Sequence, residues 1–181
     1  NYSDIFFSDL SGNNVFVGGI QSDTAAADVL DYSTMTLTNA SKDYVYLDLS
    51  NQNATVKLNN LTTAVDTYSQ IEKFILTSGN DTIKGNVDAN IIDGKEGSDT
   101  VRYDYLTGTN SVTVNFDTSS ALTTVSGGAD IDTYLNIENA YGSSGNDTFI
   151  MNDADNEENT VDGGTAGVDT ISYANYTTKV T

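Results

Sequence analysis

Short runs of alternating hydrophobic and polar residues follow one another along the chain, separated by stretches rich in Gly, Asn, Ser and Asp. The hydrophobic positions of the two clearest runs are Val45, Leu47 and Leu49, and Val112, Val114 and Phe116. A period of two residues predicts β-strands that bury one face. Apart from one helical turn that residues 24–28 allow, no segment predicts a helix. The pattern therefore predicts an all-β protein made of short strands.

The chain also repeats itself over longer distances. Residues 78–83 and 144–149 have nearly the same sequence, and residues 66–68 and 132–134 have the same sequence; the interval within the two pairs is identical. A related segment begins at Ser3. Self-similarity at a near-constant interval indicates a repeat architecture, in which each copy stacks on its neighbours.

These repeats predict a single array over residues 1–181. We expect copy one at residues 1–75, copy two at residues 76–141 and an incomplete copy three at residues 142–181. Because copy three stops early, we expect the sequence to be a piece of a longer parent chain, whose other parts would be partners of this array.

Copy two contains a finer period of nine residues between residues 76 and 102. The sixth positions of its three nonapeptides are Asp81, Asn90 and Asp99, and the eighth positions are Ile83, Ile92 and Val101. The first six residues of each unit turn the chain sharply, and the last three are extended with the middle one pointing inward. Two nonapeptides then make one full coil, so that every second unit stacks on the same edge.

This nonapeptide resembles the RTX, or haemolysin-type, calcium-binding repeat, whose pattern is G-G-x-G-x-D-x-U-x with U a large apolar residue. Residues 94–102 and 142–150 match it best, whereas Asp88, Asn90 and Lys95 depart from it. The departures predict weak metal binding, or none, in the middle turn of each copy. The fold class that we expect is all-β, a right-handed parallel β-roll or β-helix of tandem repeats.

Stacked turns explain why this spacing suits a metal ion. Asp81 and Asp99 hold the same position in units that are two nonapeptides apart, so two turns would face one another, each offering backbone carbonyls and a carboxylate. Calcium prefers such oxygen-only ligands. The same pairing joins Asp147 to Asp169 and Asp4 to Asp28. The candidate calcium ligands are Asp81, Asp99, Gly79, Gly97, Asp147, Asp169, Gly145, Gly167, Asp4, Asp28 and, as a neutral acceptor on the opposite edge, Asn90.

A simpler interpretation of the same turns needs no metal. Runs of Gly, Asn and Asp form hairpin loops in which Asp accepts hydrogen bonds from backbone donors. The recurrence of the unit with a nine-residue step favours the metal. Further along, Asp153, Asp155, Glu157 and Glu158 form either an additional cation site or a solvated loop.

Charge and composition narrow the possible partners. The 181 residues include 26 acidic and 7 basic side chains, giving a net charge of −19. Such a chain repels nucleic acids and anionic membranes, and no apolar run is long enough to span a bilayer. Without Cys or His, the chain has no disulfide, thiol nucleophile or histidine base. Because stacked carboxylates repel one another, we expect the turns to fold only when calcium binds.

The resemblance implies an extracellular location, with secretion through a type I system and folding where calcium is abundant. It favours a structural or adhesive module of a bacterial surface protein, such as an adhesin or a surface-layer protein. Two alternatives stay open. Tyr44, Tyr46, Tyr103 and Tyr105 would form an outward ladder for a glycan or pack across strands. A polysaccharide lyase or epimerase would use Arg102, Lys84 or Lys95, for which the sequence shows no convergence.

Overall fold

Strands of three residues dominate the fold, which a computed structural model describes for residues 3–9, 12–19, 27–116, 120–125, 128–151 and 158–176. These residues form seventeen strands and no helix. The strands are β1 (Ile5–Phe7), β2 (Val15–Val17), β3 (Val29–Asp31), β4 (Tyr44–Asp48), β5 (Asn53–Leu58), β6 (Leu61–Ser69), β7 (Lys73–Ile75), β8 (Thr82–Lys84), β9 (Ile91–Asp93), β10 (Thr100–Arg102), β11 (Ser111–Asn115), β12 (Ser120–Val125), β13 (Gly128–Leu135), β14 (Asn139–Tyr141), β15 (Thr148–Ile150), β16 (Thr160–Asp162) and β17 (Thr170–Ser172).

Two sheets share these strands, and the chain passes from one sheet to the other at almost every turn. The first sheet has the order β1-β3-β7-β9-β13-β12-β11-β15-β17, and the second has the order β16-β14-β10-β8-β4-β5-β6-β2. We call the turns that lead from the first sheet to the second the first edge, and those that lead back the second edge. The predicted all-β architecture of stacked coils is therefore observed, while the right-handed coil and the three-copy division stay predictions.

The nine-residue period sets the register of the coils. Within the second sheet, Thr82 of β8 pairs in parallel with Thr100 of β10, and within the first sheet, Lys73 of β7 pairs with Ile91 of β9. Both pairs join residues that are two nonapeptides apart in the sequence. Each nonapeptide is thus one side of a coil, and two of them complete it.

Not all of the pairing is parallel, and here the expectation of a purely parallel roll is wrong. Strands β4-β5-β6 and β11-β12-β13 form antiparallel meanders, one in each sheet. In the first meander, Asn59 and Asn60 have φ values of 50° and 64°, as a two-residue type I′ hairpin turn requires. An Asn-Asn dipeptide adopts these angles readily, so it turns β5 directly back into β6.

The space between the sheets is filled by the eighth-position residues and their equivalents. Ile83, Ile92 and Val101 are fully buried, as are Val45 and Leu47. Leu49, Val112, Val114 and Phe116 are buried as the alternation predicts. Each fully buried aliphatic side chain contributes about 1.5–3 kcal/mol.

Three remaining expectations concern a membrane span, a helical turn and the acidic segment. No helix long and apolar enough to cross a membrane occurs in the described part of the chain. Of the helical turn expected at residues 24–28, residues 24–26 lie outside the described residues, as do residues 152–157 of the acidic segment.

Candidate metal centre

An Asp, Asn or Glu immediately precedes each strand that begins a new side of the coil. These entry residues are Asp4, Asn14, Asp28, Asp43, Glu72, Asp81, Asn90, Asp99, Asn110, Glu138, Asp147, Asn159 and Asp169. Asp66 and Asp132 hold the same position inside β6 and β13, directly before the triplets that pair with β2 and β9. Most of the acidic entry residues are buried, which is unusual for carboxylates.

Hydrogen bonds link the predicted ligand pairs across successive coils. The backbone N–H of Asp81 donates to Oδ1 of Asp99 over 2.7 Å. In the same way Asp147 donates to Asp169 over 3.0 Å, and Asp4 donates to Asp28 over 2.8 Å. The structure therefore brings together all three predicted aspartate pairs, the first on the first edge and the other two on the second edge.

We call a series of entry residues in which each backbone N–H donates to the acid one coil further along an acid ladder. Two glutamates that were not predicted from the sequence continue these ladders. The N–H of Asp99 donates to Glu138 Oε2 over 2.8 Å, and the N–H of Asp28 donates to Glu72 Oε2 over 3.2 Å. Each glutamate follows an isoleucine, and the two Ile-Glu pairs hold equivalent positions in successive repeats. The nonapeptide spacing does not by itself require an acid at these two positions. The recurrence of the Ile-Glu pair was therefore the signal in the sequence that the two glutamates share a role.

The predicted glycines hold the paired turns close together. Gly97 has a φ of 132°, and a Cβ on it would collide with the carbonyl oxygen of Gly79. Gly167, with a φ of 96°, stands in the same relation to Gly145. Carbonyl oxygens of one turn therefore lie against the backbone of the next, with no side chain between them.

The carboxylate of Asp99 has one oxygen without a hydrogen-bond donor. Oδ2 of Asp99 is fully buried and unpaired. In the neighbouring turn, Asp81 Oδ2 accepts from the N–H of Thr77 over 2.8 Å, and Asp81 Oδ1 accepts from Val45 over 2.6 Å. The residue of the Asp99 turn that corresponds to Thr77 is Lys95, whose φ is 75° and whose N–H donates to Asp93 instead.

Burial acts on both carboxyl groups of this pair, and repulsion by the neighbouring charge acts on Asp99. Burial, followed by the negative charge of Asp81, raises the pKa of Asp99 to about 9. Burial also raises the pKa of Asp81 to about 7, despite its hydrogen bonds to Val45 and Thr77. A buried carboxylate with an unpaired oxygen, next to a second carboxylate and to backbone carbonyls, fits a hard cation such as calcium.

Acidic side chains alone do not enclose such an ion. The described residues contain no group of three or more Asp or Glu placed to hold a metal ion. A cation at these turns would therefore need backbone carbonyl oxygens from the stacked glycine-containing turns in addition to the carboxylates.

Asp43 shows the metal-free alternative, in which both carboxylate oxygens accept hydrogen bonds from backbone N–H groups. Oδ2 of Asp43 accepts from the N–H groups of Thr38 and Asn39, each over 2.7 Å, and Oδ1 accepts from that of Asn59 over 2.7 Å. The hydrogen bond from Asn59 leads the causes that lower the pKa of Asp43 to about 2. Asp43 is thus a backbone cap, as the simpler interpretation expected of every such residue.

Asn90 belongs to a satisfied cluster on the second edge. Its N–H donates to Asp132 Oδ1 over 3.0 Å, and its side-chain amide donates to Asn86 and to the carbonyl of Asp88. Oδ2 of Asp132 accepts from the hydroxyl of Tyr103 over 2.6 Å. Sequence reasoning missed this buried cluster.

An equivalent cluster surrounds Asp66 on the first edge. Asp66 accepts from Asn14, from the Ser8 hydroxyl over 2.6 Å and from the Tyr32 hydroxyl over 2.9 Å. Burial, followed by the charge of Asp66, raises the pKa of Tyr32 far above its usual range, so Tyr32 stays a donor. The signal for both clusters was the recurring Asp-Thr-Tyr sequence at residues 66–68 and 132–134.

Of the two alternatives for the four tyrosines, the outward ladder does not hold at Tyr103, whose ring packs against that of Tyr105. Tyr103 is fully buried, because its ring turns inward beside Gly85, where a Cβ would press against it. Tyr44, Tyr46 and Tyr105 are half-buried. Three of the four tyrosines therefore reach the surface.

The basic residues lie closer together than the sequence indicated. Lys84 and Arg102 are direct neighbours in the parallel register of β8 and β10. The expectation that the basic residues do not converge is therefore wrong for this pair. Lys95 lies apart from them and is paired with Asp93 over 3.7 Å.

Comparison with known proteins agrees with the ladder on the first edge. Residues 72–101 match the family model of the RTX calcium-binding nonapeptide repeat (4 copies). This segment contains Asp81, Asn90 and Asp99, and RTX nonapeptide repeats bind calcium ions. No curated protein matches the chain. The predicted resemblance to RTX repeats is therefore confirmed for this segment.

Proposed function

We propose that the chain is a calcium-dependent structural module of a secreted or cell-surface bacterial protein. The observation that supports this most directly is the buried, unpaired Oδ2 of Asp99 beside Asp81. An unpaired buried oxygen costs free energy unless a positive charge or a donor reaches it. Calcium, when bound, would supply that charge.

The strongest proposed site lies on the first edge. The carboxylates of Asp81 and Asp99 and the backbone oxygens of the turns at Gly79 and Gly97 would hold the ion. A second proposed site, on the second edge, has the same composition and consists of Asp147, Asp169, Gly145 and Gly167. A third proposed site consists of two acids alone, Asp4 and Asp28. Asn90 would add a neutral ligand at most, since its amide donates in its present position.

The charge of the chain supports coupling between calcium binding and folding. A net charge of −19 opposes the compact state, and the ladders place acids one above another. Calcium at roughly millimolar concentration, as outside cells, would offset that repulsion. Inside a cell the same chain would stay extended, as export through a type I system requires. A surface role as an adhesin or surface-layer segment follows the family resemblance.

The test is a calcium titration of the full chain, followed by circular dichroism and by isothermal calorimetry, with reversal by chelator. The variants are Asp81→Asn and Asp99→Asn, which keep an amide oxygen as acceptor but remove the charge. The matched control is Asp88→Asn, which removes an equal charge from an exposed turn position of the intervening nonapeptide.

We expect cooperative gain of β structure with calcium and its loss with chelator. Both ladder variants should shift the calcium midpoint to higher concentration by about tenfold or more, and the control should shift it little. An unchanged melting curve in chelator would reject calcium-coupled folding. Equal midpoints in all three variants would move the ion away from Asp81 and Asp99.

A further inference from the structure

An open groove of about 360 Å³ crosses the outer face of the second sheet. It is lined by Tyr46, Lys84, Arg102, Asp104 and Tyr105. Strands β4, β8 and β10, which lie side by side, supply its floor. The groove is therefore built on the regular strands of the coil and not on a loop alone.

One of the two aromatic side chains of the groove, Tyr105, is held in place. The hydroxyl of Tyr105 donates to the backbone carbonyl of Asn86, and its ring packs against that of Tyr103 at 6.3 Å between centroids. Lys84 Nζ lies 5.9 Å from the centroid of the Tyr105 ring. A half-buried ring that is fixed in this way offers a flat apolar surface at little entropic cost.

The charges of the groove cancel in pairs. Lys84 Nζ lies 3.2 Å from Asp48 Oδ2, and Arg102 lies 2.5 Å from Asp104 Oδ2. Two cations thus face two carboxylates, in a chain whose net charge is −19. The field at this surface does not favour an anionic ligand, although the groove contains two of the seven basic residues.

The ion pair of Arg102 and Asp104 still has hydrogen-bonding capacity. A guanidinium has five N–H donors and a carboxylate has about four acceptor positions, more than the single ion pair of Arg102 and Asp104 uses. Asp48, in contrast, already accepts four hydrogen bonds, from the Ser50 hydroxyl, from Asn51 twice and from Lys84. The Arg102 guanidinium also lies over the Tyr141 ring, 4.6 Å from its centroid, which fixes the plane of its donors. Closely spaced donors and acceptors beside flat rings match a ligand whose hydroxyl groups both donate and accept.

The repeat itself does not require these side chains. The positions of Lys84 correspond to Phe7 and Ile150 in the other repeats, and those of Arg102 correspond to Asp31 and Ser172. Residues that serve the coil, such as Asp81 and Ile83, recur as Asp147 and Phe149. The groove is therefore an addition to the repeat.

We propose that this groove binds a neutral saccharide, with sugar rings against Tyr46 and Tyr105 and hydroxyl groups on Lys84, Arg102 and Asp104. Saccharide binding would be a function in addition to calcium-dependent folding. It rests on that proposed function, because Asp81 and Asp99 immediately precede β8 and β10, two of the strands that form the groove. The ligand class follows from flat apolar rings combined with a charge-balanced set of donors and acceptors.

The test uses the full chain on a microarray of neutral and acidic oligosaccharides, with saturating calcium and again with chelator. Circular dichroism on the same samples reports folding. The variants are Tyr46→Ala and Tyr105→Ala, and the matched control is Tyr44→Ala. Tyr44 is half-buried on the same face of β4 but does not line the groove.

We expect binding to neutral oligosaccharides, weakened about tenfold in Tyr46→Ala and Tyr105→Ala and unchanged in Tyr44→Ala. A folded chain that binds no neutral oligosaccharide, or that binds acidic ones only, overturns the proposal and leaves calcium-dependent folding standing. Equal binding by Tyr46→Ala and the unmodified chain overturns it too. Loss of binding together with β structure in chelator is the result expected if both proposals hold.

Discussion

The N–H of Asp81 donates to Oδ1 of Asp99 over 2.7 Å, although the two residues belong to turns separated by a full coil. The contact joins the corner of one coil to the corner of the next, beyond the end of the strand pairing between β8 and β10. The same contact joins Asp147 to Asp169. An acid at the entry position therefore fixes the stacking of turns. The same arrangement places acidic side chains next to one another along the edge, where they repel.

Calcium-free protein should lose stability as the pH rises. The folded-state pKa values of Asp81 and Asp99, about 7 and about 9, lie above the ordinary value of about 3.9 for an unfolded Asp. Between these limits the folded chain binds more protons than the unfolded chain, so the free energy of unfolding falls with increasing pH. Thermal melts of calcium-free protein measure this slope over that part of the range from about pH 5 to about pH 9 in which the chain stays folded without calcium.

A substitution separates this effect from general charge repulsion. Asp99→Asn should flatten the slope above about pH 7, because of the two carboxyl groups the one with the higher pKa is gone. Asp88→Asn, which removes an exposed charge, should leave the slope nearly as it is. Identical slopes for the two variants would contradict the role of Asp99.

Replacing Gly97 by Ala should loosen the stacked turns. Gly97 has a φ of 132°, and a Cβ there would strike the carbonyl of Gly79. We expect Gly97→Ala to reduce the free energy of unfolding by at least about 2 kcal/mol in saturating calcium. Urea denaturation measures this loss.

Gly108→Ala is the matched control for backbone strain. Gly108 also has a positive φ, 75°, but a Cβ there would meet nothing within 4 Å. Its replacement should cost only about 1 kcal/mol. If Gly108→Ala destabilised the protein as much as Gly97→Ala, the close approach of the two turns would not be the cause.

The nine-residue period was sufficient to predict the coils but not the meanders. Asp81 and Asp99 could be placed together because both belong to regular units with no inserted residues. The meanders depend on local turns, such as Asn59-Asn60, that a search for repeats passes over. The direction of Tyr103 stayed open between two alternatives because it depends on the space beside Gly85, which the sequence does not display.

Equivalent residues of successive repeats lie in opposite sheets. Between Asp81 and Asp147 the chain passes through β8, β9, β10, one meander and β14, which is an odd number of sides. Asp81 therefore precedes a strand of the second sheet, and Asp147 precedes a strand of the first. The two meanders alternate in the same way. The interval from one repeat to the next thus corresponds to two and a half coils.

Tyr103→Phe should destabilise the protein by the same amount with and without calcium. The Tyr103 hydroxyl donates to the buried Asp132 over 2.6 Å, on a cluster whose oxygens all have protein donors. Loss of this bond should cost about 1.5 kcal/mol or more. Urea denaturation in calcium, and in its absence wherever the chain stays folded, compares the two conditions. A loss confined to one condition would place a cation at Asp132.

Ile83→Ala and Ile91→Ala test the inward direction of the nonapeptide at two residues of the same type. Ile83 occupies the eighth position of its unit and is fully buried, whereas Ile91 occupies the seventh position of the next unit and is 37% exposed. Removing the Ile83 side chain leaves a cavity between the sheets and should reduce the free energy of unfolding by about 2–5 kcal/mol. The same change at Ile91 should cost less than about 1 kcal/mol. Urea denaturation in saturating calcium measures both, and a larger loss at Ile91 than at Ile83 would mean that the register of the coil is shifted by one residue.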